Sequence, residues 1–230
     1  MDYERNLKYY KSNDKHFYTG IIILGIGVLF LAVSELLGLR LFRGQMAVAM
    51  TIMGIGALIA FAPSAKRANE AEIDDAVLRA TDKYDEEVAE NINITLSRRI
   101  KPVLFGDFIY DGDDVLLRRG LSDRKYRSSK YTASALLFTN DGIYVSQKTV
   151  SLIEDSTVES DMEFVFEYLD EVYIVQEDRV FGEDKVKIAF LVIKESGDEK
   201  ARIPVKYNAI ADRVCDDVNN AIKEAKGLRK

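Results

Sequence analysis

FYTGIIILGIGVLFLAVS, residues 17–34, and GQMAVAMTIMGIGALIAFAPSA, residues 44–65, contain no charged side chain. Each is close to the roughly 20 residues that a helix needs to cross a bilayer's hydrocarbon core. Only the short stretch GLRLFRG, residues 38–44, lies between the two helical patterns. This predicts a membrane α-hairpin over residues 17–64 that carries an α+β soluble domain after it. Residues 1–16 form a polar N-terminal segment. A cleaved signal peptide is the competing reading of the first run, but the long polar lead and the second run right behind it favour a hairpin.

Basic residues near membrane spans are retained on the cytoplasmic side. Arg5, Lys8, Lys11 and Lys15 precede the first run, Lys66 and Arg67 follow the second, and only Arg40 and Arg43 lie in the turn. The expected location is therefore the cell membrane, with two spans and both termini cytoplasmic. Within the spans, Gly20, Gly27 and Ser34 recur every seven residues, and Ala49, Met53, Gly56, Ala60 and Ser64 share one face. Small residues let helix backbones approach closely in lipid, so Gly20, Gly27, Ser34, Gly56 and Ala60 are the expected packing residues. The competing reading is that glycine is simply frequent in membrane helices. Glu35, near the outer end, is the one ionisable residue in the spans, which argues against a pore or a proton relay.

A net charge of -6 argues against nucleic acid as a partner, because phosphate backbones need a basic footprint. The lone Cys215 cannot form an internal disulfide, and His16 is the sole histidine. No metal-ligand spacing, phosphate-cradling glycine loop or nucleophile motif is present. The expectation is a non-enzymatic protein without metal or cofactor. Asn93-Ile94-Thr95 matches a glycosylation acceptor, which has no meaning on a cytoplasmic segment.

Residues 65–100 read as an acidic amphipathic helical connector. Ile73, Val77, Ala80, Tyr84, Val88 and Ile92 form one apolar stripe, expected to pack on the domain that follows rather than in a coiled coil. From 101 to 230 the period becomes two. Strands are predicted at residues 115–121, 134–139, from 143 past 146, along Phe164, Phe166 and Tyr168, then at 172–175, 185–193 and 201–205. Val186, Ile188, Phe190 and Val192 share one face, and Pro204 places the last strand at an edge. Asn140-Asp141-Gly142 is a hairpin turn signal. Asn208 is the expected N-cap of a final helix with the stripe Ile210, Val214, Val218, Ala221 and Ala225.

ALLFTNDGIYV at residues 135–145, EYLDEV at 167–172 and ARIPV at 201–205 before the last helix resemble the bacterial PH-like domains, of the pleckstrin-homology and GRAM fold. The resemblance implies a bent antiparallel sheet of about seven strands capped by a C-terminal helix. It also implies binding or scaffolding rather than catalysis, although a fold alone does not fix function. In pleckstrin-homology domains the loop between the first two strands often holds basic residues that grip lipid phosphates. Lys125-Tyr126-Arg127 is similar to the end of that motif, which makes Arg124, Lys125, Arg127 and Lys130 the candidate headgroup ligands. The structural alternative is a solvated basic loop.

Residues 149–178 carry no basic side chain and many acidic ones. Their spacing is not that of a calcium loop, and a solubilising surface or a head-to-tail complement to the basic loop of a second copy are the readings left open. The leading function is a membrane-anchored scaffold for protein interaction or self-assembly, with the bilayer and a protein partner or a homo-oligomer as its contacts. The alternatives are a sensor of anionic lipid headgroups and an accessory subunit of a larger membrane complex.

Overall fold

The structure, a computed structural model, describes residues 1–12, 15–36, 43–62, 67–92 and 95–227. The turn with Arg40, the segment Pro63, Ser64, Ala65 and Lys66, and the Asn93-Ile94 part of the acceptor motif lie outside the described residues, as do the side chains of Glu35 and Arg43. The chain forms two compact units, Asp2–Ile73 and Asp74–Lys230, which divide inside a helix.

In the first unit, α1 (Tyr3–Lys11) is followed by α2 (Lys15–Leu36) and α3 (Arg43–Phe61). Asp2 caps α1 by accepting from the Arg5 N–H. Arg5 ion-pairs with Glu72 at 3.0 Å and Arg67 donates to the Ser12 hydroxyl. The stretch Lys15–Ser34 of α2 is long and apolar enough to cross a membrane; the apolar run of α3, Met46–Phe61, is shorter. The helices run antiparallel. A Cβ on Gly20 would meet the backbone of Gly56 and Ala60, and one on Gly27 would meet Met53 and Ala49. Ser34 is buried, with its hydroxyl donated to the Phe30 carbonyl within the helix. Gly25 and Gly54 face open space, so only the second glycine of each Gly-Ile-Gly triplet serves this contact.

The second unit is α+β. α4 (Glu70–Thr81) enters it at Asp74 and is followed by α5 (Tyr84–Asn91). The single connector helix expected from the stripe is therefore broken, at Lys83, whose φ of +57° is incompatible with a continuing right-handed helix. Next come β1 (Val103–Phe108), β2 (Leu117–Arg119), β3 (Tyr126–Ser128), β4 (Lys130–Phe138), β5 (Gly142–Ser151), β6 (Thr157–Val165), β7 (Leu169–Phe181), β8 (Asp184–Glu195), β9 (Asp198–Val205) and α6 (Ala209–Ala225). Among the described residues, all strand pairs are antiparallel. They form a four-stranded sheet ordered β1-β4-β5-β6, a three-stranded sheet β7-β8-β9 and the small hairpin β2-β3.

One core joins both larger sheets and α6. Leu136, Phe138, Val145 and Phe164 from the first sheet meet Val172, Leu191, Ile193 and Ile203 from the second, with Val214, Val218 and Ile222 from the helix. Asn208 caps α6 as expected, accepting from the N–H groups of Ile210 and Ala211. The buried helix face is Ala211, Val214, Cys215, Val218 and Ile222, while Ile210 is exposed. On the other side of β4, Tyr84 and Val88 of α5 pack on Ala133, Ala135 and Leu137. β4 is thus covered on both faces, so its apolar residues form a run instead of alternating.

Several expected elements shift. The first long strand is β1, not residues 115–121, which contribute only the short β2. β1 was concealed by Gly106, a residue that weakens any strand pattern. The glycine is required because a Cβ there would collide with the Tyr131 ring and the Thr132 carbonyl. The hairpin at Asn140-Asp141 forms, yet neither residue adopts a left-handed φ. Gly142 is needed instead because a Cβ would run into the Phe164 carbonyl. β6 ends at Val165, so Tyr168 lies in the following turn and is exposed. On β8, Ala189, Leu191 and Ile193 enter this core, while Ile188 and Val192, on the expected shared face, are buried on the other side of the strand. β9, with Pro204, is an edge strand of the sheet β7-β8-β9, as expected.

Candidate anion-binding cavity at the basic hairpin

The basic stretch lies between β1 and β4 and folds into the β2-β3 hairpin, with Arg118 directly opposite Arg127. Like charges facing each other across strands repel. At Arg127, which is only 3% exposed, carboxylates offset this: its Nε and Nη2 donate to Asp74 on α4, each at 2.7 Å, and its Nη1 and Nη2 donate to Asp123. These bonds push the Arg127 pKa further up and hold Asp123 below the usual carboxylate range. Arg119 pairs with Asp184 at 2.7 Å, and the Tyr126 hydroxyl donates to the same carboxylate.

The hairpin borders a cavity of about 700 Å³. Its wall includes Phe108, Tyr110, Tyr126 and Tyr131, all buried or half-buried. Arg124, Lys125, Lys185, Lys187 and Lys206 also line it and are exposed, and among the described residues none of them is ion-paired. They come from three distant segments: the β2-β3 turn, the start of β8 and the residue after β9. Arg124 holds a left-handed φ of +60°, a conformation that costs a non-glycine residue energy and that clusters at ligand sites. Burial raises the Asp107 pKa, opposed by the Phe108 N–H at 2.8 Å and by Lys206. Burial and the Asp107 charge push the Tyr131 phenol up to about 12. Several ammonium and guanidinium groups beside aromatic rings suit a phosphate-bearing ligand, through charge-assisted hydrogen bonds to its oxygens.

Of the four residues expected from sequence, Arg124 and Lys125 are on this cavity with free side-chain charges. Arg127 is on it but engaged by two aspartates. Lys130 is not on its wall and pairs with Asp114. Lys185, Lys187 and Lys206, outside that set of four, line the same cavity. The period-two placement of Lys185 and Lys187 after a turn was visible, but nothing local pointed to the loop they would face. A larger cavity, about 860 Å³, is at the C-terminal end of α6. Its Asp141, Glu167, Asp217 and Glu224 make it a poor anion site, and its Arg99 is already paired with Glu224 at 2.6 Å. Among the described residues, no group of His, Cys, Asp and Glu is arranged to hold a metal ion.

No family model and no curated protein matches the chain. Among solved structures it is similar to the hSac2 domain from the human phosphoinositide phosphatase Sac2, at a TM-score of 0.29 and 15% identity over 70% of this chain and 85% of that one.

Proposed function

We propose that this chain is a non-enzymatic, membrane-anchored protein whose PH-like domain receives a phosphate-bearing anion, an acidic lipid headgroup of the cytoplasmic leaflet. The observation that carries the reading is the set of unpaired cations Arg124, Lys125, Lys185, Lys187 and Lys206 around one aromatic-lined cavity. The PH-like assignment is supported by the four-stranded and three-stranded sheets that share a core with a C-terminal helix. The anchor is supported by the length of α2 and by large exposed apolar side chains on both helices, Ile22, Leu29 and Val33 on α2 and Val48, Met50 and Leu58 on α3. In this reading α2 and α3 both cross the bilayer and both termini are cytoplasmic. Each basic side chain near an anionic surface contributes about 1 kcal/mol, so the cluster is strong enough for reversible, salt-sensitive binding.

The test reconstitutes the full chain in lipid discs of phosphatidylcholine or phosphatidylglycerol and follows amide exchange in residues 121–127 and 184–187. Phosphatidylglycerol is expected to protect both segments, and a Lys185→Ser/Lys187→Ser variant is expected to lose that protection. Inorganic phosphate added to phosphatidylcholine discs separates the sources: protection there at low millimolar phosphate assigns the site to a free anion. Identical exchange under all conditions overturns the reading.

A second reading, the scaffold for protein interaction or self-assembly, draws on β6. This edge strand of the four-stranded sheet is exposed along most of its length, with Val158 bare and Glu159, Asp161 and Glu163 along it. An accessory role in a larger membrane complex would use the exposed apolar faces of α2 and α3.

A further inference from the structure

Arg127 is the best-placed cation on the cavity and the least available. Its guanidinium carries the bidentate geometry that suits phosphate oxygens, yet in this structure that fork is filled by the Asp74 carboxylate, with bonds of 2.7 Å from both Nε and Nη2. The two aspartates on Arg127 differ in kind. Asp123 belongs to the hairpin itself, four residues away, and also accepts from the Lys125 N–H at 3.0 Å. Asp74 arrives from a different element and its side chain is half exposed. We propose that Asp74 is an internal stand-in for the ligand: Arg127 is the phosphate anchor of the cavity, and an entering phosphate group takes the place of the Asp74 carboxylate.

This inference rests on the anion site proposed above and gives it a mechanism. Because Arg127 is 3% exposed, releasing Asp74 with nothing in its place would leave a buried guanidinium short of acceptors, which is costly. A phosphate removes that cost, since it supplies more charge and more acceptor oxygens than a carboxylate. The exchange therefore couples ligand binding to the undocking of α4. α4 and α5 are held separately. Lys83, in its left-handed conformation, separates them, and α5 is held independently by Tyr84 and Val88 in the cluster on β4. On the cavity side α4 contributes Val77, which is buried, and Leu78, which is exposed.

The experiment titrates the full chain in detergent with inorganic pyrophosphate by calorimetry, comparing wild type, Asp74→Asn and Asp74→Asn/Arg127→Gln. Removing the competing carboxylate is expected to raise affinity about five-fold or more, and the double variant is expected to lose the gain. Equal or weaker binding by Asp74→Asn overturns the stand-in role while leaving the anion site intact. Absence of binding by all three proteins instead overturns the anion site and this inference with it. A measurement on wild type alone guards against a variant that fails to fold. Pyrophosphate is expected to lower amide protection in residues 75–81 and to leave 84–91 unchanged; unchanged or increased protection of 75–81 in the bound protein contradicts the exchange.

Discussion

Asn219 of α6 holds the main chain of Val172 on β7 from both sides: its Oδ1 accepts from the Val172 N–H at 2.9 Å and its Nδ2 donates to the Val172 carbonyl at 2.7 Å. β7 is an edge of its sheet, and the amide side chain supplies the two hydrogen bonds that a further strand would have made. One residue thus ties the closing helix to the three-stranded sheet where Val172 enters the core.

Replacing Asn219 by Leu keeps the approximate volume and removes both bonds. Leaving the Val172 groups without partners is expected to cost about 1–3 kcal/mol. Chemical denaturation in detergent of the full-length variant checks this. A midpoint unchanged from wild type would mean that water replaces the amide at no cost.

The helix pair of the first unit responds to position, not to glycine content. A Cβ on Gly56 would sit 2.6 Å from the Leu24 nitrogen and 2.9 Å from the Gly20 carbonyl oxygen, both backbone atoms that cannot step aside, whereas Gly54 has open space around it. Gly56→Val is expected to destabilise the pair by about 1–3 kcal/mol through overpacking. Gly54→Val is expected to behave like wild type. Loss of helical circular dichroism on titration with a denaturing detergent distinguishes them.

Cys215 is buried against the core, and burial, followed by the Asp212 and Asp216 charges, pushes its thiol up to about 11 from an ordinary value of 9.0. The folded state keeps the proton longer than the unfolded chain. Its contribution to stability is therefore complete below pH 9 and is lost as pH rises towards 11, with a slope of at most about 1.4 kcal/mol per pH unit. Between pH 9 and pH 10 the raised tyrosines, Tyr110, Tyr131 and Tyr144 among them, add a loss common to both proteins, and Cys215→Ala is expected to flatten the remaining decline in unfolding free energy. An equal slope in the variant would assign the loss to another group.

The same burial makes Cys215 a poor reporter of membrane topology, because a thiol reagent would be excluded on either side. Glu183→Cys in a Cys215→Ala background places the thiol at an exposed turn. Labelling by an impermeant reagent is expected only after permeabilisation. Labelling in intact cells would place the domain outside.

What sequence reading reached was set by local periodicity. The cap at Asn208, the α6 stripe through Val214 and Val218, the strands around Phe138 and Val145 and the close-packing glycines Gly20 and Gly56 all follow from repeats of two, three or four residues. Where a second surface decided the pattern, periodicity told less. β4 carries an apolar run because α5 covers one face and the main core lies against the other, and β8 buries Ile188 and Val192 on one face as well as Ala189, Leu191 and Ile193 on the other.

The sequence by itself determined that this chain has long apolar helices near its N-terminus, a strand-rich C-terminal region closed by an amphipathic helix, and a cluster of cations between residues 118 and 130. These properties are written in short stretches of chain. Only the tertiary structure decided which of those cations are free. Arg127 is paired with Asp74, fifty-three positions earlier, and Lys130 with Asp114, while Lys185, Lys187 and Lys206 join Arg124 and Lys125 from the far side of the fold. Charge is a property of a residue, but its availability depends on which other residues the fold places within hydrogen-bonding distance, and no local pattern records that.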